Sequence, residues 1–304
     1  MVDPRDIPAE PAAIGGVATP PFARLPEPEA LFLKRALRLR AYADQSDLKP
    51  FLLFLAGVAD AQASILPRLP TVVSPDADSL ARARDNAMPP LDRAVLQPDA
   101  AFDATFEALF DAAAAIEQPE EARAALGRLV ADRALRDACA RTVLAAERPE
   151  TGLAEHAYVA AAIQVHMARL AASLDAKALV PVGTGACPCC GGPPVSSTVV
   201  GWKDADGARY CTCALCATMW NVVRVKCTLC DSTKGITYMG VDGGTDTVKA
   251  ETCDECGRYV KILQGQKDML VDAVADDVGS LGLDMLMQGT RYKRGAYDPF
   301  LLGY

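Results

Sequence analysis

From Pro28 onward the apolar positions recur at helical spacing. Leu31, Leu37 and Leu39 interleave with Lys34, Arg35, Arg38 and Arg40, which predicts a first helix over 28–43. Ser46 or Asp47 can cap a second helix, with Pro50 in its first turn, where a missing N–H costs nothing. The run Phe51-Leu52-Leu53-Phe54-Leu55 continues to Ile65 and is apolar nearly all round, the signature of a helix buried in a bundle. Pro67, Pro70, Pro75, Pro89 and Pro90 mark a long irregular connection. Phe102, Phe106, Leu109 and Phe110 then restore an i, i+4, i+7, i+8 stripe, read as core packing. Further helices fit 119–146, with a break, and about 150–175. Residues 1–27, rich in Pro and Ala and without periodicity, read as a flexible arm.

From about Pro181 the texture changes. Alanine thins out, Gly, Thr and Val rise, and short alternating strands appear between cysteine pairs. After Cys256 helical spacing returns over Lys267–Met287, with Leu270, Val274, Val278 and Leu281 in phase, followed by Leu283 and Leu286. Gly279 and Gly282 predict a bend or interruption there. The fold class is therefore α+β: an all-α domain over 28–180, two tandem rubredoxin-like or zinc-ribbon modules over 181–222 and 223–262, and a C-terminal helix and tail over 263–304.

Composition narrows the function. The chain is 51% hydrophobic and 23% charged, a globular balance. Its net charge of −8 has the wrong sign for a protein whose main task is gripping nucleic acid. The opening Met-Val-Asp-Pro-Arg-Asp shows no basic stretch leading into an apolar core, so no secretory signal is expected. No uninterrupted apolar run reaches about 18 residues, so no membrane span is expected either. In a chain with no export signal, eleven cysteines point to metal or redox chemistry rather than disulfides.

The cysteines are concentrated. Four Cys-x-x-Cys pairs occur at Cys187/Cys190, Cys213/Cys216, Cys227/Cys230 and Cys253/Cys256. The first and second pairs are separated by 22 residues, and so are the third and fourth, with a ten-residue joint from Ala217 to Lys226. One such turn presents two thiolates to one metal, and two turns complete a tetrahedral S4 site. A β-hairpin carries the chain out and back: 195–200, a turn at 203–207 and 208–212 in the first unit; 235–241, a turn at Asp242-Gly243-Gly244 and 247–252 in the second. Equal loops favour consecutive pairing over an interlocked arrangement joining the first pair to the third. Four thiolates suit Zn(II) and mononuclear iron alike. Gly191 and Gly257 follow their pairs, where backbone must approach sulfur closely; Ala217 and Asp231 stand at the matching positions of the other two.

Cys189 and Cys211 lie beside ligand positions, as spare ligands, reactive thiols or simply buried side chains, the last being favoured; Cys139 reads as core. His156 and His166 are ten residues apart on one predicted helix, about 15 Å along its axis, too far to share a metal. There is no Gly-rich phosphate loop, Ser nucleophile elbow or His-Glu-x-x-His, so no catalytic residues are assigned and a non-enzyme is expected. Asp268, Asp272, Asp276, Asp277 and Asp284 read as a solvated helix face, with a partner-docking surface as the alternative.

Cys187-Pro188-Cys189-Cys190-Gly191-Gly192-Pro193-Pro194 and Arg209-Tyr210-Cys211-Thr212-Cys213-Ala214-Leu215-Cys216 resemble the formate dehydrogenase accessory protein FdhE family. So do Val223-Arg224-Val225-Lys226-Cys227, Ala250-Glu251-Thr252-Cys253, Tyr259-Val260-Lys261, Ala275-Asp276-Asp277 and Pro299-Phe300-Leu301-Leu302. Upstream, Arg35-Ala36-Leu37-Arg38-Leu39 and Ala161-Ala162-Ile163-Gln164-Val165 are similar to it as well. Departures are Cys189, Cys211, Met219 where an acidic residue is common, and Asp298 where Asn is usual. The resemblance implies a cytoplasmic maturation factor acting on the catalytic subunit of a molybdenum or tungsten formate dehydrogenase, with rubredoxin-type iron at the four-cysteine sites. Two other readings remain: an electron carrier serving a metalloenzyme, against which stands the large helical body, and a zinc-ribbon nucleic-acid binder relying on Lys203, Arg209, Arg224 and Lys226.

Overall fold

The computed structural model of the chain describes residues 20–241 and 246–301. Helix α1 (Pro28–Ala43) opens with proline in its first turn, and α2 (Lys49–Ile65) folds back along it as a hairpin. The expected Ser46 or Asp47 cap is not used. Leu48 occupies the cap position, and Ser46 Oγ accepts instead from Leu48 N at 3.1 Å. Helix α3 (Ala77–Asp85), capped by Asp76, falls inside the stretch expected to be irregular. Its sequence is mostly charged and small, buries no residue and so leaves no apolar stripe to read. Then come α4 (Ala100–Ala114), α5 (Glu120–Ala131) and α6 (Arg133–Ala145). The last two are split at Asp132, whose carboxylate accepts from Leu135 N at 3.0 Å and so starts α6.

Helix α7 (Leu153–Ala172) is the axis of this domain. Its alanines allow α1, α2, α4, α5 and α6 to pack against it, and it is buried on nearly every face. Among the described residues one helical stretch, Lys49–Arg68, is long and apolar enough to cross a membrane by length and composition. Here α2 packs against α1, α4 and α7, and Leu52, Leu55, Ala56 and Ile65 lie in the core.

The cysteine-bearing half forms one sheet rather than two independent ribbons. Strand β1 (Ala23–Arg24) comes from the stretch expected to be a flexible arm. With it are β2 (Pro194–Val199), β3 (Arg209–Cys213), β4 (Met219–Val222), β5 (Ile236–Met239), β6 (Val248–Cys253) and β7 (Arg258–Gln264), in the order β1-β4-β3-β2-β7-β6-β5. Residues 1–19 of the expected arm and the expected turn at 242–244 lie outside the described residues. Each hairpin has gained a third strand, β4 and β7. The parallel pairing of β2 with β7, Ser197 opposite Ile262, fuses the two units. Buried Arg209 on β3 reinforces the joint: it pairs with Glu251 on β6 at 2.8 Å and donates to the carbonyls of Arg224 and Lys226. Arg209 is thus unavailable as a nucleic-acid contact.

Helices α8 (Ala273–Gly279) and α9 (Leu281–Gln288) and strand β8 (Lys293–Arg294), parallel to β7, close the fold. The expected helix over 267–287 starts later, because Asp272 caps α8 through Val274 N and Ala275 N. It breaks at Ser280. Gly279 lies against Tyr42, where a Cβ would come within 2.5 Å of the ring, so any side chain there would push α8 off α1.

The acidic cluster is not a solvated face. Asp276 is buried and accepts from Arg38 at 2.6 and 2.9 Å and from the Tyr42 hydroxyl at 2.8 Å. Asp272 takes Arg35 Nε at 3.2 Å, and Asp268 pairs with Arg38 at 2.8 Å. Asp277 and Asp284 are buried with Lys261 and Arg294. The cluster therefore fastens α8 and α9 to α1 and the sheet. Asp272, Asp276, Asp277 and Asp284 are buried with their charges already paired inside the fold, and only Asp268 stays partly exposed.

Candidate metal centres

Each Cys-x-x-Cys pair sits in a tight turn closed by backbone hydrogen bonds. Gly191 N donates to Cys187 O at 2.8 Å, Asp231 N to Cys227 O at 3.0 Å and Gly257 N to Cys253 O at 2.9 Å. The residue after the second cysteine is left-handed in all four turns: Gly191 (φ 74°), Ala217 (φ 57°), Asp231 (φ 68°) and Gly257 (φ 62°). Two are glycines, which take this conformation freely; Ala217 and Asp231 hold it at a cost of about 1–2 kcal/mol each. Ala217→Gly is therefore expected to raise stability by about 0.5–1 kcal/mol, read as a higher urea midpoint at unchanged slope. A lower midpoint would show that the Ala217 methyl contributes more packing than its backbone costs.

The turns meet in consecutive pairs. In the first centre Cys187 Sγ lies 3.6 Å from Cys216 Sγ, and Cys190 Sγ 3.4 Å from Cys213 Sγ. In the second, Cys227 and Cys256 are 3.8 Å apart and Cys230 and Cys253 3.7 Å. Within each set all four sulfurs lie within 4.8 Å of one another. Sulfurs on a tetrahedron with metal bonds of about 2.3 Å stand about 3.8 Å apart, whereas a disulfide needs about 2.05 Å. Both sets can hold one metal ion each.

The charge around the first set fits such an ion. Four thiolates and a dication carry a net negative charge. Gly192 packs where a Cβ would stand 3.4 Å from both Cys190 Sγ and Cys213 Sγ and 3.5 Å from Arg93 Nη1, a buried nitrogen without a hydrogen-bond partner. Arg93 thus places a buried N–H group without a partner beside the sulfur cluster. Without a metal, burial pushes the Cys187 and Cys216 thiols well above their ordinary range, so ligation must supply the energy that ionises them.

The two centres differ in setting. The first is sealed: its four cysteines belong to the same core as α1, α2, α4 and α7. Gln164 of α7 donates to Ala214 O at 2.8 Å, inside the Cys213–Cys216 turn, while its own oxygen accepts from Arg35 and Gln62. The loop after α3 is stitched to the other turn, Leu91 N to Cys189 O at 2.9 Å and Arg93 N to Cys190 O at 3.3 Å. Sequence reasoning assigned no role to Gln164, Leu91 or Arg93. Gln164 offered a signal, a lone amide in an otherwise apolar stretch of helix. The second centre is peripheral, with Cys230 exposed, Cys256 half-buried and a separate small core of Val248, Ala250, Tyr259, Leu263, Leu283 and Met287 beneath it.

Metal release should therefore be biphasic. A thiol-reactive chromogenic reagent on metal-loaded chain is expected to free the second centre's ion from the native protein and the first only on unfolding. Release of both in one phase would contradict the difference in burial.

Cys189 and Cys211 are buried and outside both sets, and burial pushes the Cys211 thiol up to about 12, so it is no nucleophile. Cys139 is buried in α6. His156 Nδ1 contacts Gly152 O at 2.7 Å, and neither histidine belongs to a ligand cluster.

Models of the FdhE family match throughout: the N-terminal part over residues 20–184, the central domain over 186–224 and the C-terminal domain over 225–301. The chain belongs to the FdhE family. An FdhE homolog of Rhizobium meliloti is 48% identical over 298 residues, covering 97% of each chain. One from Yersinia enterocolitica is 35% identical over 286 residues, 92% of this chain and 90% of that one. The crystal structure of the FdhE protein from Pseudomonas aeruginosa superposes with a TM-score of 0.83 at 30% identity, covering 93% of this chain and 99% of that one. The FdhE family boundaries at 184–186 and 224–225 fall where the helical domain gives way to the first centre, and the first centre to the second.

Proposed function

We propose that this FdhE-family chain is a cytoplasmic, non-catalytic assembly factor that binds the catalytic subunit of a molybdenum or tungsten formate dehydrogenase during its formation. Family membership along the whole chain carries the reading. Cys187, Cys190, Cys213 and Cys216 would hold one metal and Cys227, Cys230, Cys253 and Cys256 the other, with iron favoured over zinc. Bound iron would supply a one-electron couple; bound zinc would supply structure alone.

The division of labour follows from burial. The first centre ties α7 and the loop after α3 to the sheet and is the structural keystone. The second, with Cys230 at the surface, is the one a partner can touch. That exposure favours one alternative role, electron transfer to the bound enzyme. A pull-down of purified catalytic subunit by the tagged chain, with formate dehydrogenase activity measured in cells lacking the chain, tests the proposal. Capture of the subunit and lost activity restored by the gene are expected. Full activity without the chain, or no capture, would overturn it.

A further inference from the structure

An open cleft lies in the helical half of the chain, and its lining includes none of the cysteines of either centre. It has a volume of about 850 Å³ and is framed by α3, the loop from Met88 to Gln97 and the start of α4, with His166 and Leu170 of α7 at its base. Three features set it apart from packing noise. His166 is 2% exposed, yet its Nδ1 has no hydrogen-bond partner, and the ring is held edge-on by Phe102 at 5.2 Å between centroids. A buried unpaired ring nitrogen costs about 1–3 kcal/mol, which a ligand donor would recover. The charged residues around it are unbalanced: Asp76, Asp92 and Asp99 against Arg82. Each aspartate spends one oxygen on a local N–H, of Ser79, Ala94 and Phe102. Among the described residues the second oxygens of Asp92 and Asp99 have no partner. The rim is apolar and largely exposed at Val73, Met88 and Val95.

Burial also lowers the His166 imidazole to about 4, so at neutral pH it is uncharged and offers a lone pair rather than a repelling cation. The cover over it is loosely built. Helix α3 buries none of its residues, and the segment before it is held by Arg169 donating to Pro70 O at 2.5 Å and by the contact of Ser74 with Ser173.

We infer that this cleft binds an extended peptide segment in which basic side chains alternate with apolar ones, the basic groups meeting Asp92 and Asp99, the apolar ones the Val73–Val95 rim, and a donor N–H reaching His166. The open side lets a chain pass through, which an enclosed small-molecule pocket would not. That this segment belongs to the enzyme being assembled rests on the assembly-factor reading; the binding itself does not. Occupancy would bear on the first centre as well, because Leu91 of the wall donates to Cys189 O in the Cys187–Cys190 turn.

The test uses the full chain and two fluorescein-labelled octapeptides, one alternating leucine with arginine and one leucine with glutamate, followed by anisotropy at about 0.15 M salt. The arginine peptide is expected to saturate at one per chain and the glutamate peptide to bind at least about tenfold more weakly. Val95→Arg, on the exposed rim, should weaken the arginine peptide about tenfold. Val130→Arg, the same charge change on exposed α5, should not. His166→Asn should weaken it also; if that variant fails to fold, Val95→Arg decides. Equal binding of both peptides, no saturation, or equal effects of the two arginine substitutions would overturn the inference. No formate dehydrogenase is present in this assay, so its failure beside a successful pull-down removes the cleft and leaves the assembly role standing.

Discussion

Cys213→Ser is expected to leave the chain without a stable native state. Cys213 ends β3, is 1% exposed and faces Cys190 across 3.4 Å in the main core. Metal binding to a structural four-ligand site contributes on the order of 10 kcal/mol, and a globular chain has a net stability of about 5–15 kcal/mol. Losing one ligand therefore removes most of the margin. It also leaves three thiols and a hydroxyl buried together where Gln164, Leu91 and Arg93 expect a rigid turn. Insoluble expression, or loss of the cooperative thermal transition by circular dichroism, is the expected readout. Cys230→Ser is the internal comparison. It lies at the surface over a separate small core, so metal content should fall by one per chain while the helical domain still melts cooperatively. Normal melting and retained metal in Cys213→Ser would refute the ligand assignment.

The second large effect is expected at Lys261, a fully buried lysine on β7. Its ammonium lies 3.3 Å from Asp277, contacts Asp284 and donates to the carbonyls of Asp277 and Ser280 at 2.6 and 3.2 Å. Arg294 pairs with the same two carboxylates. Burial pushes the Asp298 carboxyl well above its ordinary range, with neighbouring Asp277 adding to it. Burial also acts against Asp277, but Arg294 and Lys261 outweigh it and hold this carboxyl below its ordinary value. Two cations, Lys261 and Arg294, thus face two carboxylates, Asp277 and Asp284. Lys261→Met leaves one uncompensated negative charge in a dry site and should cost about 3–5 kcal/mol, read from the urea midpoint. Lys261→Met with Asp284→Leu restores neutrality and should be less destabilised than the single change. If the single variant loses less than about 1 kcal/mol, water must reach the cluster.

The contrast between these two regions explains what was legible in the sequence. The centres could be read because a metal turn is local: two cysteines three apart, repeated at equal intervals, define the ligand sets before any folding is known. Most helices could be read for the same reason, through the Phe102–Phe110 stripe or the apolar run of α2. What could not be read depends on distant partners. Asp276 looks like a surface residue until Arg38 and Tyr42, 238 and 234 positions away, close over it. The β2–β7 pairing that fuses the ribbons leaves no periodic trace, since β2 is buried on both faces. Helix α3 escaped because nothing in it needs a core, and that same lack of burial lets it stand over a cleft.

The central claim is that the eight cysteines of the four pairs hold two single metal ions. Elemental analysis of the full chain purified without air, together with its visible spectrum after oxidation, tests this most directly. Two metal ions per chain are predicted, with the thiolate-to-iron absorption of ferric S4 sites if iron is bound and a colourless protein if zinc is. A folded, metal-free chain with all eleven cysteines titrating as ordinary thiols would contradict it.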